Sequence, residues 1–375
     1  MSDEMVLVTG GTGFVATHCV VQLLEAGYRV RTTVRSLARE GEVRRAVAAG
    51  LAAVAVAASG SQAGNADPAA DPVADPATDP DLAAGGRLQV VGADLTATPG
   101  WAEAVVGCRY VLHVASPFPA VQPDNPNTLV APARDGTVRV LRAARSAGVE
   151  RVVLTSSFAA VGHGVEHPPD YVFTETDWSD ATADVSPDAM AKTLAERAAW
   201  QYIAERAPDL ELAVINPVSV FGPALGPHLS TSLLLLRGFL GGVPPAVARV
   251  STSAVDVRDV ADLHLRAMTH PDARGERFLA VTGSPLTHLQ IAQLLRSRLG
   301  EAADRVPKRQ LPDWTVSLMA PFTPQLEDIR LQLGTPKAAR NTKAKTVLGW
   351  QPRSNVEAIV AAAESILALG LVGRG

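Results

Sequence analysis

A short apolar run, Met5–Thr9, is closed at once by Gly10-Gly11-Thr12-Gly13, and helical spacing then runs from Phe14 to Ala26. The run is β-branched and far shorter than the apolar core of a signal peptide, so it is expected as a strand. Gly27 suits the left-handed residue that ends a helix, and Tyr28–Val34 is strand-like again. Strand, glycine turn, helix and strand make a β–α–β unit, the opening of a parallel sheet.

The pattern continues. Apolar runs at Leu88–Val91, Tyr110–Val114, Val152–Thr155 and Leu212–Ile215 alternate with helical segments such as Gly136–Ala147 and Ala189–Arg206. The alternation predicts an α/β fold, a Rossmann-type doubly wound parallel sheet. One stretch departs from it. Ala46–Ala58 is alanine-rich, and an Asp-Pro unit then repeats at Asp67-Pro68, Asp71-Pro72, Asp75-Pro76 and Asp79-Pro80. Each proline removes a backbone donor and restricts the residue before it. With few large apolar side chains the segment cannot offset its ordering entropy, so residues 58–86 are expected as a disordered insertion.

After Asn216-Pro217 the composition turns to proline and glycine, with Pro223, Pro227, Pro244 and Pro245. The expected organisation is a dinucleotide-binding domain over 1–216 and a smaller C-terminal substrate-binding lobe over 217–254 and 270–375. Residues 255–269 are expected to return to the first domain. Thr287–Leu299 and Val356–Leu367 have the spacing of amphipathic helices closing the lobe.

A chain of 375 residues with a net charge of -4 can bury a large core and carries no basic stripe, so no nucleic-acid partner is expected. Cys19 and Cys108 are the only cysteines, and the eight histidines are scattered, so neither a disulfide framework nor a metal site is expected. The apolar stretch Leu233–Leu236 is far below a membrane span. A cytoplasmic protein acting on a small molecule is the expectation, and a homodimer is common in folds of this kind.

Gly10, Gly13 and Ala16 stand at a three-residue spacing. Gly10 would make the tight turn, Gly13 let the backbone approach a pyrophosphate, and Ala16 permit close helix–strand packing. The helix that follows turns its amides and positive end toward the phosphates, with Thr9, Thr12, Phe14 and Val15 around them. The second strand ends in Thr33-Val34-Arg35, and no acid occurs between Glu25 and Glu40. An acid here would hold a ribose 2′-hydroxyl, whereas arginine accommodates a 2′-phosphate, so Arg35 points to NADPH. Asp94 and Leu95 follow the third strand, where adenine would be contacted; alternatively Asp94 caps the next helix.

These pieces resemble the extended short-chain dehydrogenase/reductases, in particular the branch of dihydroflavonol reductases, cinnamoyl-CoA reductases and bacterial aldehyde reductases. The similar segments are Val8–Ala16, Thr33-Val34-Arg35, Ala93-Asp94-Leu95, His113-Val114-Ala115-Ser116-Pro117-Phe118 and Val153-Leu154-Thr155-Ser156-Ser157. Later come Lys192-Thr193-Leu194-Ala195-Glu196, Asn216-Pro217, Val220-Phe221-Gly222-Pro223, Val257-Arg258-Asp259-Val260 and Leu348-Gly349-Trp350. Only the Asp-Pro insertion falls outside. The resemblance implies that Ser157, rather than Ser156, hydrogen-bonds the reacting atom of the substrate. It implies that Lys192 holds the nicotinamide ribose, and that Val114, Ala115, Ser116, Pro217 and Val220 wall the nicotinamide. Residues 222–245 would form much of the substrate pocket.

The family's proton-donating tyrosine belongs four residues before that lysine, and this chain has Asp188 there. At i and i+4 the two could form an ordinary helix ion pair. Aspartate is ordinarily an anion at neutral pH and has no proton to give a developing alkoxide. A protonated C=N bond is already cationic, so a carboxylate beside it would attract it, and C=N reduction becomes the sharper expectation. A carboxyl kept protonated by burial would serve instead as a general acid. Tyr202 is ~21 Å along the same helix and out of reach. His163 and His228 remain substitutes for carbonyl reduction. A non-oxidative epimerase, dehydratase or cyclase, or a catalytically silent NADP-binding regulatory protein, are the other classes.

Overall fold

The computed structural model describes residues 4–59, 86–117, 127–168, 170–320, 329–330, 333–334 and 336–373. The expected insertion over 58–86 lies mostly outside these residues, as does Phe118.

Strand β1 (Met5–Val8) is buried along its length, as an apolar run in the middle of a parallel sheet must be. Helix α1 (Phe14–Glu25), β2 (Arg29–Val34), α2 (Glu40–Ser59) and β3 (Leu88–Gly92) follow. The alternation continues with α3 (Trp101–Val105), β4 (Cys108–His113), α4 (Asn127–Ser146) and β5 (Arg151–Thr155). Next come β6 (Val172–Phe173), α5 (Pro187–Arg206), β7 (Glu211–Pro217) and β8 (Ser219–Phe221). Then α6 (Thr231–Gly241), β9 (Ser251–Asp256), α7 (Val257–Thr269), β10 (Arg277–Ala280) and β11 (Thr282–Thr287). The chain closes with α8 (His288–Leu299), α9 (Asp313–Met319), β12 (Ala338–Ala339), α10 (Thr342–Leu348) and α11 (Asn355–Ala368).

Seven parallel strands form the main sheet in the order β10-β7-β5-β4-β1-β2-β3. Its helices cover both faces. One face buries Val6, Val20, Leu24, Val260 and Leu263 with α1 and α7, and the other buries Leu7, Val111, Leu141 and Val214 with α3, α4 and α5. Strand order reverses between β1 and β4, and open α/β sheets bind ligands outside the strand ends at such a point. The doubly wound expectation is met.

A second core, with Phe221, Leu236, Phe239, Ile291, Leu295, Ile359 and Ile366, lies under the three-stranded sheet β11-β9-β8. Capping boxes at Thr287 and Ser354 start α8 and α11, the two amphipathic helices expected here.

The lobe boundary needs correcting. Of residues 255–269, Val255 and Asp256 end β9 of the three-stranded sheet, and 257–269 form helix α7, packed beside α1 on the main sheet. The strand that returns is β10, inside the 270–375 segment assigned to the lobe, and it pairs with β7 at the sheet edge. Ala344 and Leu348 of α10 also belong to the main core, as does Trp350, whose Nε1 donates to Asp259 O at 2.9 Å. β10 has only four residues and α10 seven, too short for periodicity to assign them to a layer. Among the described residues no helix is long and apolar enough to cross a membrane.

Candidate active site

A cleft of about 490 Å³ opens at the carboxyl ends of β1 and β4. Gly10, Thr12, Gly13, Phe14 and Val15 line one end, Arg35, Asp94 and Leu95 a flank, and Val114–Ser116, Ser157, Asp188, Lys192, Pro217 and Val220 the other end. Of the residues expected at the site, only Thr9 is not in the wall. It lies buried beneath it, where Thr9 Oγ1 accepts from Ala115 N and pairs with His113 Nδ1, both at 2.9 Å. That ties the end of β1 to the end of β4.

The phosphate end is built by backbone. Gly10 has φ +77, and a side chain there would meet Ala115 Cβ at 3.0 Å. Gly13 has no left-handed requirement, but a Cβ on it would press on Gly10 O at 3.1 Å. Gly13 caps α1 without any side-chain bond, and the first turn contains no acid. The positive helix end therefore faces the cleft uncompensated, the arrangement a pyrophosphate requires. Arg35 lies exposed at the cleft rim, and Arg39, near it in sequence, joins it there. Two bonds of 2.9 and 2.8 Å to Glu42 hold Arg39. Asp94 does not cap α3: its carboxylate accepts from Thr96 N and Oγ1 at 2.8 Å, and Gly100 precedes the helix. These bonds hold Asp94 below the usual carboxylate range. Glycines, free helix end and paired arginines fit a dinucleotide.

At the other end, Ser186 caps α5, Pro187 takes its first position, and Asp188 falls in the first turn. Negative charge is favoured at this end of a helix. Asp188 and Lys192 both face the cleft but do not make the ion pair their spacing allowed. Lys192 Nζ donates to Ser116 Oγ at 3.0 Å, and among the described residues Asp188 makes no hydrogen bond or ion-pair contact. Burial lowers the Lys192 pKa, while the charges of Asp188 and Glu196 act against that. Ser157 Oγ accepts from Ala159 N at 3.0 Å. Its neighbour Ser156 also lines the cleft, and its hydroxyl donates to Glu196 Oε2 at 2.5 Å.

Neither substitute histidine lines this cleft. His163 packs on Phe158, pushed down to about 4 by burial. His228 lines a neighbouring cavity with its Nε2 3.3 Å from Glu42. Tyr171 is bonded to Asp177, and Tyr202 lies on a separate surface depression. His163 and His167 share the i, i+4 spacing of metal ligands but sit outside any helix, and among the described residues no cluster could hold a metal. Of the segment 222–245, only Ser230, Thr231 and Ser232 at the start of α6 reach the cleft wall. A buried group around Glu196, Asn216 and Arg277 went unassigned in the sequence; the signal was an acid at i+4 from Lys192 on an alanine-lined helix face.

Known proteins share this architecture and sequence. Cinnamoyl-CoA reductase 1 of Petunia hybrida is 35% identical over 285 residues, 75% of this chain and 73% of that protein. A ketoreductase of Aspergillus niger is 31% identical over 331 residues, 83% of this chain and 87% of the relative. A yeast methylglyoxal/isovaleraldehyde reductase solved with NADPH superposes with a TM-score of 0.72 over 98% of this chain and 100% of that one, at 24% identity, a likeness of fold. The NAD dependent epimerase/dehydratase family model matches residues 6–280, and this chain belongs to that family.

Proposed function

We propose that this protein is an NADPH-dependent reductase of a small organic substrate, acting on C=N bonds in preference to C=O. The observation that carries the preference is Asp188, a carboxylate without a contact partner among the described residues, facing the cleft one turn before Lys192. Arg35 and Arg39 at the cleft rim support NADPH over NADH, since a 2′-phosphate needs cationic donors there. The reductase names of the relatives support reduction over epimerisation.

NADPH, when bound, supplies the hydride. Lys192 holds the nicotinamide ribose, and Val114, Ala115, Pro217 and Val220 confine the ring. Ser157 Oγ would hydrogen-bond the reacting atom of the substrate, accepting from an iminium N–H. The Asp188 carboxylate attracts an iminium and favours its protonated form in a site of reduced dielectric. Because such a substrate is already cationic, its reduction would need no acid from Asp188. A ketone would instead develop an oxyanion beside a fixed negative charge.

The test is turnover of a cyclic imine, 2-methyl-1-pyrroline, and a matched ketone, cyclopentanone, by the wild type and Asp188→Asn. Imine turnover is expected to drop in the variant; equal imine turnover by both proteins refutes the preference. Carbonyl reduction is the second reading, favoured by the ketoreductase relative, and faster ketone than imine turnover by the wild type would establish it.

A further inference from the structure

Glu196 is among the most deeply buried charged groups of the protein, at 1% exposure. Its carboxylate accepts from four side chains on four elements. Ser156 Oγ follows β5 at 2.5 Å, Asn216 Nδ2 comes from β7 at 2.7 Å, Arg277 Nε from β10 at 2.6 Å, and Trp200 Nε1 from α5 at 3.3 Å. Asn216 Nδ2 also donates to Ser157 O at 3.2 Å. Arg277 lies over the Trp178 ring at 3.9 Å and donates to Glu175 O and Asp177 O, both at 2.8 Å. Those carbonyls lie on the segment that leads to Ser186 and the start of α5.

The elements meeting here are those that carry the groups at the reacting end. Ser157 follows Ser156, Pro217 follows Asn216, and Lys192 is one turn before Glu196 on α5. Lys192 and Glu196 share the wall of a void of about 20 Å³ with Ser116 and Ser156, and the Glu196 charge acts to raise the Lys192 pKa. Groups facing Lys192 are Asp188 and Glu196 on its own helix, Ser116, and His113, which burial pushes down to about 3 and so keeps neutral. Facing Glu196 are Arg277, Asn216, Ser156 and Trp200.

We infer that Glu196, clamped by Arg277, is a positioning residue that sets Ser157, Lys192 and the Pro217 wall against one another for hydride transfer. The inference rests on the reductase reading for its turnover assay but not for its second readout. An isolated buried ion pair is poor support for stability, because desolvation offsets its attraction. A pair that receives three further polar side chains beside the reacting groups has a different use: it fixes relative position where small displacements are costly in rate.

Glu196→Gln keeps the shape and the acceptor oxygen while removing the charge. It is expected to lower kcat for the better of the imine and ketone substrates by about 10- to 100-fold. NADPH affinity, read by fluorescence titration, should stay within about twofold, because the phosphate end of the cleft is untouched. Competitive acetylation followed by mass spectrometry gives the protonation midpoint of Lys192 without turnover, and that midpoint should move to lower pH. The paired variant Glu196→Gln/Arg277→Met removes the clamp without stranding an unpaired buried charge, and should stay folded with kcat still low. A Glu196→Gln protein with wild-type kcat and Lys192 midpoint, or a paired variant that recovers kcat, overturns the proposal. A wild type that reduces neither substrate refutes the reductase reading, and the Lys192 midpoint then decides this one alone.

Discussion

The two ends of the cleft are made in opposite ways. At the phosphate end, binding is written in backbone: a glycine turn at φ +77, a helix start with no side-chain cap, and a threonine that staples two strands. At the reacting end everything depends on the identity of a few side chains, above all Asp188, on a helix that would form equally well around another residue. The first end therefore tolerates little change and advertises its use. The second rests on side chains, which a single substitution can replace while the helix stays as it is.

The sharpest way to break this contrast is Gly10→Val. A side chain there meets Ala115 and a left-handed backbone, a strain of about 1–3 kcal/mol, and NADPH binding by calorimetry should be lost. Retained binding would show that the turn does not hold the cofactor. Next in size is Asp188→Tyr, which should convert the reacting end to ketone reduction, since a placed general acid contributes about 10²–10⁴-fold. Steady-state rates on the matched imine and ketone check it; an unchanged ratio would mean that the aspartate is not the discriminator.

Arg35→Ala, a side chain on an otherwise backbone-built end, should raise KM for NADPH by about 10- to 100-fold and leave KM for NADH alone. Parallel KM measurements with the two cofactors decide that. The last prediction is read in stability rather than in binding or turnover, and it concerns acid. Burial pushes His18, His163, His264 and His288 down to about 4, so the unfolded chain takes up these protons near 6.5 while the folded chain does not until about 4. Stability is full above that window and falls as pH drops through it, by about 1.4 kcal/mol per pH unit for each histidine. Urea denaturation at stepped pH measures the slope. A flat profile from pH 7 to 4 would contradict the buried neutral histidines.

The same contrast explains what could be read from sequence. The β–α–β opening and the main-sheet strands from β1 to β7 were legible because small residues and apolar runs impose local geometry. Arg277–Ala280 escaped assignment because four residues carry no period, and their place is set by pairing with Val214–Pro217. The Asp188–Lys192 ion pair that the spacing allows is not made, and Lys192 donates instead to Ser116, distant in sequence. Glu196 was visible as an acid, but its three distant partners are brought together only by the sheet. Short-range rules found the phosphate end, and long-range packing wrote the rest.

The route of the chain between the two cores has a mechanical consequence. It leaves the main sheet after β7, re-enters at Asp256–Val257, leaves again after β10, comes back with α10 and Trp350, and departs once more into α11. A lobe hung on one linker can swing as a door; one stitched on at five crossings cannot. At Asp256–Val257 the stitch is itself stiffened, because the buried Asp256 carboxylate caps α7 and holds Arg258. Packing of this kind favours small shears between helices over a wide rotation of the lobe.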